Sequence, residues 1–155
     1  MQQTIDKQDI ELREMITFYL GDALYGIDIL KVQEINKLMG WTPVPHSEDD
    51  ILGILSLRGS IVTVVDLGKR LGTTSSKQSN LSRNIIVNSG DKCIGILVDR
   101  IGDVVVVEQD EICPAPVNVN GVQSKFFKGV FRTNEDLIAI LDVEELFRDS
   151  KNKTD

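Results

Sequence analysis

The sequence has little of the side-chain chemistry on which most enzymes depend. Its 155 residues include one histidine and two cysteines, too few for a tetrahedral zinc site of nitrogen and sulfur ligands. No glycine-rich phosphate loop, dinucleotide fingerprint or serine-nucleophile motif occurs. Adjacent acids such as Asp110 and Glu111 are typical of solvated loops. The sequence therefore indicates no cofactor, and it favours a non-catalytic binding module.

Positive charge and long apolar runs are also scarce. Lysine and arginine number 17 against 24 acidic residues, for a net charge of −7, which argues against sequence-independent binding to nucleic acid. No apolar run approaches the roughly 20 residues that span a bilayer, and the first residues lack the apolar core of a signal peptide. Cys93 and Cys113 do not suggest a disulfide framework. We expect a cytoplasmic protein with reduced thiols and no direct membrane insertion.

The most informative stretch is GILSLRGSIVTVVDL at residues 53–67. Two apolar runs flank Arg58-Gly59, which predicts a hairpin between two buried strands. Gly59 can take the positive φ that a tight turn requires, and Arg58 is expected to project from the tip without packing. Asp66 is predicted to cap a short helix at residues 67–71, which Gly72 ends.

The remaining pattern is that of short strands joined by turns. Residues 30–35 read equally as a short helical turn or as a kinked strand. Residues 1–13 are polar and expected to be flexible, and the polar segment 73–82 is predicted to be a linker or mobile loop. A short helix capped by Asp142 is predicted to follow the last strand. The other predicted strands are residues 15–20, 24–29, 84–88, 93–98, 104–108, 129–133 and 137–141.

The two halves of the chain match each other. Gly21-Asp22 aligns with Gly90-Asp91, in the register that places Gly26 on Gly95. Likewise Gly53 aligns with Gly129, and IVTVVDL at residues 61–67 aligns without a gap with LIAILDV at residues 137–143. Glycines, acids and a helix cap agree in one order, which apolar alternation alone does not explain.

This repeat predicts two small barrels, residues 14–80 and 81–150, each of about five strands closed by a helical turn. Closure suits such short strands because it removes exposed sheet edges. The copies differ at the hairpin tip, where the first has Arg58-Gly59 and the second Asn134-Glu135. Duplicated folds place function where the copies diverge, and this directs attention to Arg58.

Several of these stretches together resemble the CheW family of chemotaxis coupling proteins. They are YGIDILKVQEI at residues 25–35, Leu57-Arg58-Gly59 with the strand that follows, GILVDRIGDVVVV at residues 95–107 and ICPAP at residues 112–116. The resemblance extends over residues 15–147. It implies a mainly β fold of two intertwined five-stranded SH3-like barrels, which agrees with the repeat.

The resemblance also implies a function. Members of the family are cytoplasmic adaptors that couple the histidine kinase CheA, through its regulatory domain, to the cytoplasmic tips of methyl-accepting chemoreceptors. They support assembly of the receptor array and receptor control of the kinase. No kinase, receiver or receptor pattern accompanies the resemblance in this sequence.

Six residues are candidates for partner binding, and each has a structural alternative. Arg58 would contact a receptor tip, or it would make a bond that holds the inter-barrel groove for one. The structural alternatives are a solvated turn residue or an internal salt bridge to an acid such as Glu34. Val32 and Glu34 match positions on the partner-facing side of the first barrel in the family, or they are ordinary core and surface residues. Three apolar residues of the second half could line a receptor groove or pack in the core, namely Ile94, Ile101 and Val104.

A different class of function also remains open. A double barrel could bind a small molecule, or act as an enzyme, in the cleft between its barrels. That function requires polar groups converging in a closed pocket, and the sequence offers mainly Arg58 and scattered acids.

Overall fold

The structure is a computed structural model, and it describes residues 11–74 and 77–148. The expectations for residues 1–10, for residues 75 and 76 of the polar segment and for the last seven residues lie outside the described residues. Three short 3-10 helices, Ile29–Lys31, Gln109–Glu111 and Ser124–Phe126, accompany the regular elements. In chain order the strands and helices are β1 (Leu12–Leu20), β2 (Ala23–Asp28), β3 (Val32–Lys37), β4 (Ile51–Leu57), β5 (Ser60–Asp66), α1 (Leu67–Arg70), β6 (Arg83–Ser89), β7 (Lys92–Val98), β8 (Arg100–Glu108), β9 (Asn118–Val119), β10 (Val122–Gln123), β11 (Phe127–Arg132), β12 (Leu137–Leu141) and α2 (Val143–Leu146).

The strands form two five-stranded sheets, and neither sheet belongs to one half of the sequence. Sheet 1 has the order β11-β12-β2-β1-β8, and sheet 2 has the order β3-β6-β7-β5-β4. Inside each sheet two strand pairs join the halves. One is parallel, β12 with β2 in sheet 1 and β5 with β7 in sheet 2, and the other is antiparallel, β1 with β8 in sheet 1 and β3 with β6 in sheet 2. The prediction of two intertwined five-stranded units from a duplication is therefore confirmed.

Intertwining follows from two crossings of the chain between the sheets. After β2 the 3-10 helix Ile29–Lys31 turns the chain toward sheet 2, and the side chain of Asp28 caps it by accepting the N–H of Leu30. Residues 30–35 thus contain both the helical turn and the strand that the sequence left open. After β7 the chain returns to sheet 1 at Asp99, whose carboxylate accepts the N–H groups of Gly21 and Lys77.

Three buried clusters organise the interior. Sheet 1 surrounds its own cluster, which includes Phe131 and Ile138, and sheet 2 surrounds another, which includes Val62 and Ile86. The largest cluster contains residues of both sheets, among them Phe18. We call it the inter-barrel core. Burial of this shared apolar surface is the main force that holds the sheets together.

Equivalent caps and closures appear in both copies. Asp66 and Asp142 cap α1 and α2 by accepting the N–H three residues later, as predicted. A single bridge follows the edge strand of each sheet, Thr42 to Ile54 in sheet 2 and Cys113 to Val130 in sheet 1. The prolines of residues 41–46 are thus compatible with an edge position, because that segment joins β4 through this one bridge.

The strand boundaries differ most from the predicted ones at β1 and β8, and one further hairpin is present. β1 begins at Leu12 and β8 at Arg100, each earlier than its apolar run, because both continue as partners of one another. β9 and β10 form a small hairpin around Asn120-Gly121, in a stretch where the sequence predicts no strand. Two residues at positive φ make this turn, with φ of 52° at Asn120 and 82° at Gly121.

The polar segment predicted as a linker is attached to the fold wherever the structure describes it. At its start, the Thr73 N–H and hydroxyl donate to the Gly68 carbonyl. At its end, Ser82 is buried and its hydroxyl donates to the Lys77 carbonyl. Lys77 in turn donates its N–H to Asp99. The described part is therefore hydrogen-bonded at both ends, although most of its side chains are exposed.

A first prediction concerns the glycines at the two bridges. A Cβ on Gly53 would meet the carbonyl of Thr42 and lie 2.7 Å from Trp41 Cδ1, and a Cβ on Gly129 would lie 2.6 Å from the Cys113 oxygen. Since backbone cannot yield as a side chain does, Gly53→Ala and Gly129→Ala should each lower the free energy of unfolding by about 1–3 kcal/mol. Urea denaturation measures this. Gly40→Ala is the matched control, because a Cβ there meets nothing within 4 Å, and equal stability of all three variants would contradict the close approach.

Candidate partner-binding site

Arg58 and Gly59 form the two-residue tip of the β4–β5 hairpin. Leu57 pairs with Ser60, and φ is 53° at Arg58 and 83° at Gly59. Positive φ at both central residues defines a type I′ turn, whose twist matches that of the flanking strands. The sequence predicted the positive φ of Gly59 but not that of Arg58, a residue for which this conformation is uncommon.

The Arg58 side chain is not free, which corrects the expectation that it packs against nothing. Its Nη1 lies 3.0 Å from Glu34 Oε2 and 3.3 Å from Glu34 Oε1. The side chain of Arg58 remains 69% exposed, whereas that of Glu34 is 20% exposed. The internal ion pair, one of the alternatives open from the sequence, is therefore present together with an accessible guanidinium.

This ion pair joins the two edges of sheet 2. Glu34 lies on β3 at one edge, and Arg58 follows β4 at the other. In sheet 1 the equivalent tip carries Asn134-Glu135, and the position matching Glu34 is Asp103. The residue equivalent to Arg58 is therefore the uncharged Asn134, and the second copy cannot form the same ion pair.

The ion pair also orients Arg58 for binding. Only Nη1 of the guanidinium is bonded to Glu34, and Nε and Nη2 have no partner among the described residues. Arginine presents five donors in a planar fork. Because Glu34 holds Nη1, the Arg58 side chain has already lost part of its rotational freedom. This lowers the entropic cost when the remaining donors bind a carboxylate or a carbonyl group.

Val32 and Ile101 occupy equivalent positions in the repeat. Val32 starts β3 and Ile101 lies at the start of β8, on the two strands that follow the crossings. Both are partly buried against the inter-barrel core. Each side chain therefore contributes both to the core and to the surface. Neither of the two interpretations from the sequence, partner-binding surface or core, describes these residues fully.

Val104 lies further along β8 and is 55% exposed. Val106, at 59%, and Leu12 on β1, at 61%, are exposed too and extend the apolar surface. The sequence did not identify Leu12 or Val106. The run of four valines at residues 104–107 does not reveal which face is exposed, because a bulge opposite Thr17 sets the register of β8.

The structure does not place Ile94 with Ile101 and Val104. Ile94 lies on β7 in sheet 2, pairs with Thr63 and Val87, and is 6% exposed. Its side chain belongs to the inter-barrel core. The apolar alternation of this strand marks burial rather than a surface shared with β8.

Cys93 responds to the electrostatics of this site. Burial raises the pKa of its thiol, and the negative charge of Glu34 raises it further. The Sγ atom lies 3.7 Å from Gln33 Oε1 on β3. The thiol therefore lies beside the strand that carries Glu34.

Two further observations concern residues 11–74 and 77–148 only. No helix there is long and apolar enough to cross a membrane. No three histidine, cysteine, aspartate or glutamate side chains in those ranges are grouped so as to hold a metal ion.

A duplicated, intertwined pair of β-barrels that presents an exposed hairpin tip defines a β-rich scaffold module. The chain belongs to the CheW-like domain family, whose model matches residues 14–151. The family that the sequence resembles is therefore confirmed.

The relatives are chemotaxis proteins. The chain is 34% identical to the chemotaxis protein CheW of Treponema pallidum, over 86% of this chain and 81% of that protein. It is 32% identical to CheW of Bacillus subtilis, over 83% of each. The crystal structure of the scaffolding protein TtCheW from Thermoanaerobacter tengcongensis superposes with a TM-score of 0.82 at 33% identity, covering 89% of each chain.

A second prediction tests whether the Arg58–Glu34 pair stabilises the fold. Arg58→Asn removes the pair, but Asn is favoured at the first position of a type I′ turn. An exposed ion pair contributes about 0–1 kcal/mol, so the two effects should leave the free energy of unfolding within about 0.5 kcal/mol of the parent. Urea denaturation measures it. A decrease in the free energy of unfolding above about 2 kcal/mol would instead show that the ion pair is a main interaction closing the barrel.

A third prediction uses Cys93 as a reporter. In a Cys113→Ser background, Glu34→Gln should lower the pKa of Cys93, because one of the two causes that raise it is removed while burial remains. The pH dependence of iodoacetamide alkylation, followed by mass spectrometry, measures this pKa. Asp110→Asn is the control for a change of charge elsewhere, and an equal shift in both variants would contradict a local effect.

Proposed function

We propose that this protein is a non-catalytic cytoplasmic adaptor that couples a CheA-type histidine kinase to the cytoplasmic tips of chemoreceptors. Membership of the CheW-like family supports this proposal. The observation that carries it is the guanidinium of Arg58, which is exposed at a hairpin tip and held by Glu34 along one edge.

In this proposal Arg58 binds the receptor directly. We expect a helical receptor tip whose carboxylates or carbonyl oxygens a planar donor fork can recognise. Glu34 acts as a positioning residue, since it holds Nη1 and leaves the other donors available. Val32, two residues before Glu34 on β3, offers partly buried apolar surface beside the charge.

Ile101 and Val104 contribute an apolar surface on β8, which Val106 and Leu12 extend. Exposed apolar patches of this kind mark contacts with other proteins. An amphipathic helix binds such a patch by its own apolar face. We assign Ile101 and Val104 to the partner-binding surface and assign Ile94 to the core.

The kinase is proposed to bind elsewhere on the barrels. The resemblance to the family implies that the kinase's regulatory domain has the same fold, so we expect the two proteins to pair barrel to barrel. Such a contact uses apolar surface and does not need the charge of Arg58. Receptor binding and kinase binding should therefore respond differently to a change of charge at Arg58.

Arg58→Asp should abolish receptor association and leave kinase affinity nearly unchanged. Charge reversal removes charge-assisted bonds and adds repulsion, at a cost of roughly 2–5 kcal/mol, or about 30-fold or more in affinity. Calorimetric titration with a receptor fragment and with the kinase's regulatory domain from the same cells measures both. Arg132→Asp is the matched control, because it makes the same charge change near the tip of the other hairpin.

The exchanged pair, Glu34→Arg with Arg58→Glu, separates the two roles of the ion pair. It preserves an internal bridge but presents a carboxylate to the partner. Continued loss of receptor binding supports direct recognition by Arg58, whereas restored binding would show that only the bridge matters. If neither kinase nor receptor is captured by the parent chain from its own lysate, the adaptor proposal fails and the small-molecule alternative gains support.

A further inference from the structure

A cavity of about 520 Å³ lies on sheet 2, away from the Arg58 tip. It is bounded by the loop before β4, by β5 and β7, and by the end of α2. Its apolar surface comes from Ile51, Val65, Ile94 and Phe147. Charged side chains stand around this apolar surface, among them Arg70, Lys92 and Arg148.

The internal repeat shows what occupies the equivalent space in the other copy. Thr63 pairs with Ile94 across the parallel junction of sheet 2, and Ala139 pairs with Tyr25 across that of sheet 1. Ile94 and Tyr25 are therefore equivalent. Tyr25 is 1% exposed, so in sheet 1 this position holds a buried aromatic ring.

That ring belongs to an aromatic stack. Its centroid lies 5.8 Å from that of Phe18 and 6.0 Å from that of Phe127. Ile51 is the equivalent of Phe127, because Ile51 pairs with Val65 and Phe127 pairs with Leu141 at matching places in the two hairpins. In the first copy, aliphatic side chains thus replace a pair of rings. The cavity beside Ile94, of about 520 Å³, is larger than the equivalent cavity beside Tyr25, of about 310 Å³.

The charge around the cavity also distinguishes the copies. Lys92 and Arg70 are equivalent to Ala23 and Leu146 in the repeat. Arg70 is compensated, with Nε 2.7 Å from Asp50 Oδ2 and its guanidinium carbon 5.4 Å from the centre of the Phe147 ring. Arg148 is likewise paired with Glu145.

Lys92 differs from these two cations. It is exposed, and its ammonium has no partner within the described ranges. Glu48 is the acid at the rim, and it is engaged in an interaction of its own. In a chain of net charge −7, a rim with an uncompensated lysine attracts an anionic group.

We propose that this cavity is an anchor site for an aromatic side chain of a partner protein, with an adjacent carboxylate that binds Lys92. The apolar surface would receive the ring that Tyr25 supplies internally in the other copy. Aromatic side chains are the commonest anchors of protein interfaces because they bury much apolar area in one pocket. The inference concerns a different surface from the Arg58 site and does not depend on it.

Three short peptides test the proposal on the full chain. The peptide acetyl-GDFEG-amide carries the ring and the acids, acetyl-GNFQG-amide lacks the acids, and acetyl-GDAEG-amide lacks the ring. Methyl NMR should show the Ile51, Ile94 and Val65 signals shifting with the first peptide at millimolar concentration. Removal of the ring should weaken binding roughly tenfold or more, and removal of the acids about three- to fivefold.

Two variants complete the test. Lys92→Ala adopts the residue of the other copy, and it should reduce the affinity of the first peptide to that of the acid-free peptide. Lys37→Ala, an exposed lysine on β3, is the matched control and should change nothing. Ile94→Tyr should fill the cavity and prevent binding; if it fails to fold, Lys92→Ala and the peptide series still decide the question.

Several results would overturn the proposal. These are absence of methyl shifts up to about 5 mM peptide, shifts confined to other parts of the molecule, or equal binding of all three peptides. Binding of 3-phenylpropionate without binding of the peptide would identify the cavity as a small-molecule site and exclude a protein anchor. If Lys92→Ala and Lys37→Ala bind the first peptide with equal affinity, the contact between Lys92 and a carboxylate is contradicted.

Discussion

The parallel pairing of strands from opposite halves is the constraint on which the rest of the structure depends. β5 pairs with β7, and β2 pairs with β12, so each sheet contains strands from both repeats. Neither half of the chain can separate from the other without breaking strand pairing in both sheets and exposing the inter-barrel core. One edge strand of each sheet, β8 in sheet 1 and β3 in sheet 2, follows a crossing and carries candidate binding residues. The binding surface is thus a consequence of the exchange.

Duplication gives this chain two versions of every local environment, and the differences between them are informative. At the hairpin tips, the first copy has a cation bonded to Glu34, and the second has Asn134 in its place, with Asp103 at the position that matches Glu34. At the parallel junctions, one copy has the ring of Tyr25 beside a cavity of about 310 Å³, and the other has Ile94 beside a cavity of about 520 Å³. The shared features, including the helix caps and the bridging glycines, are those that the fold itself requires.

Local chemistry made much of the fold predictable. The glycines, the turn at Gly59 and the caps at Asp66 and Asp142 act within a few residues, so their effect can be read from the chain alone. Their repetition was enough to predict two related barrels. The start of β8 and the bulge opposite Thr17 were not predictable, because they depend on pairing with β1, which lies some ninety residues away in sequence.

For the candidate site, the sequence by itself determined the residue types and their place in the repeat: an arginine at the tip, an acid on β3 and apolar residues along β7 and β8. The tertiary structure decided which of these residues are accessible. It joined Arg58 to Glu34 across the two edges of one sheet, exposed Val104 and buried Ile94. The physical reason is that apolar alternation is the same for a residue facing the core and for one facing a partner. Only the packing of the two sheets distinguishes them.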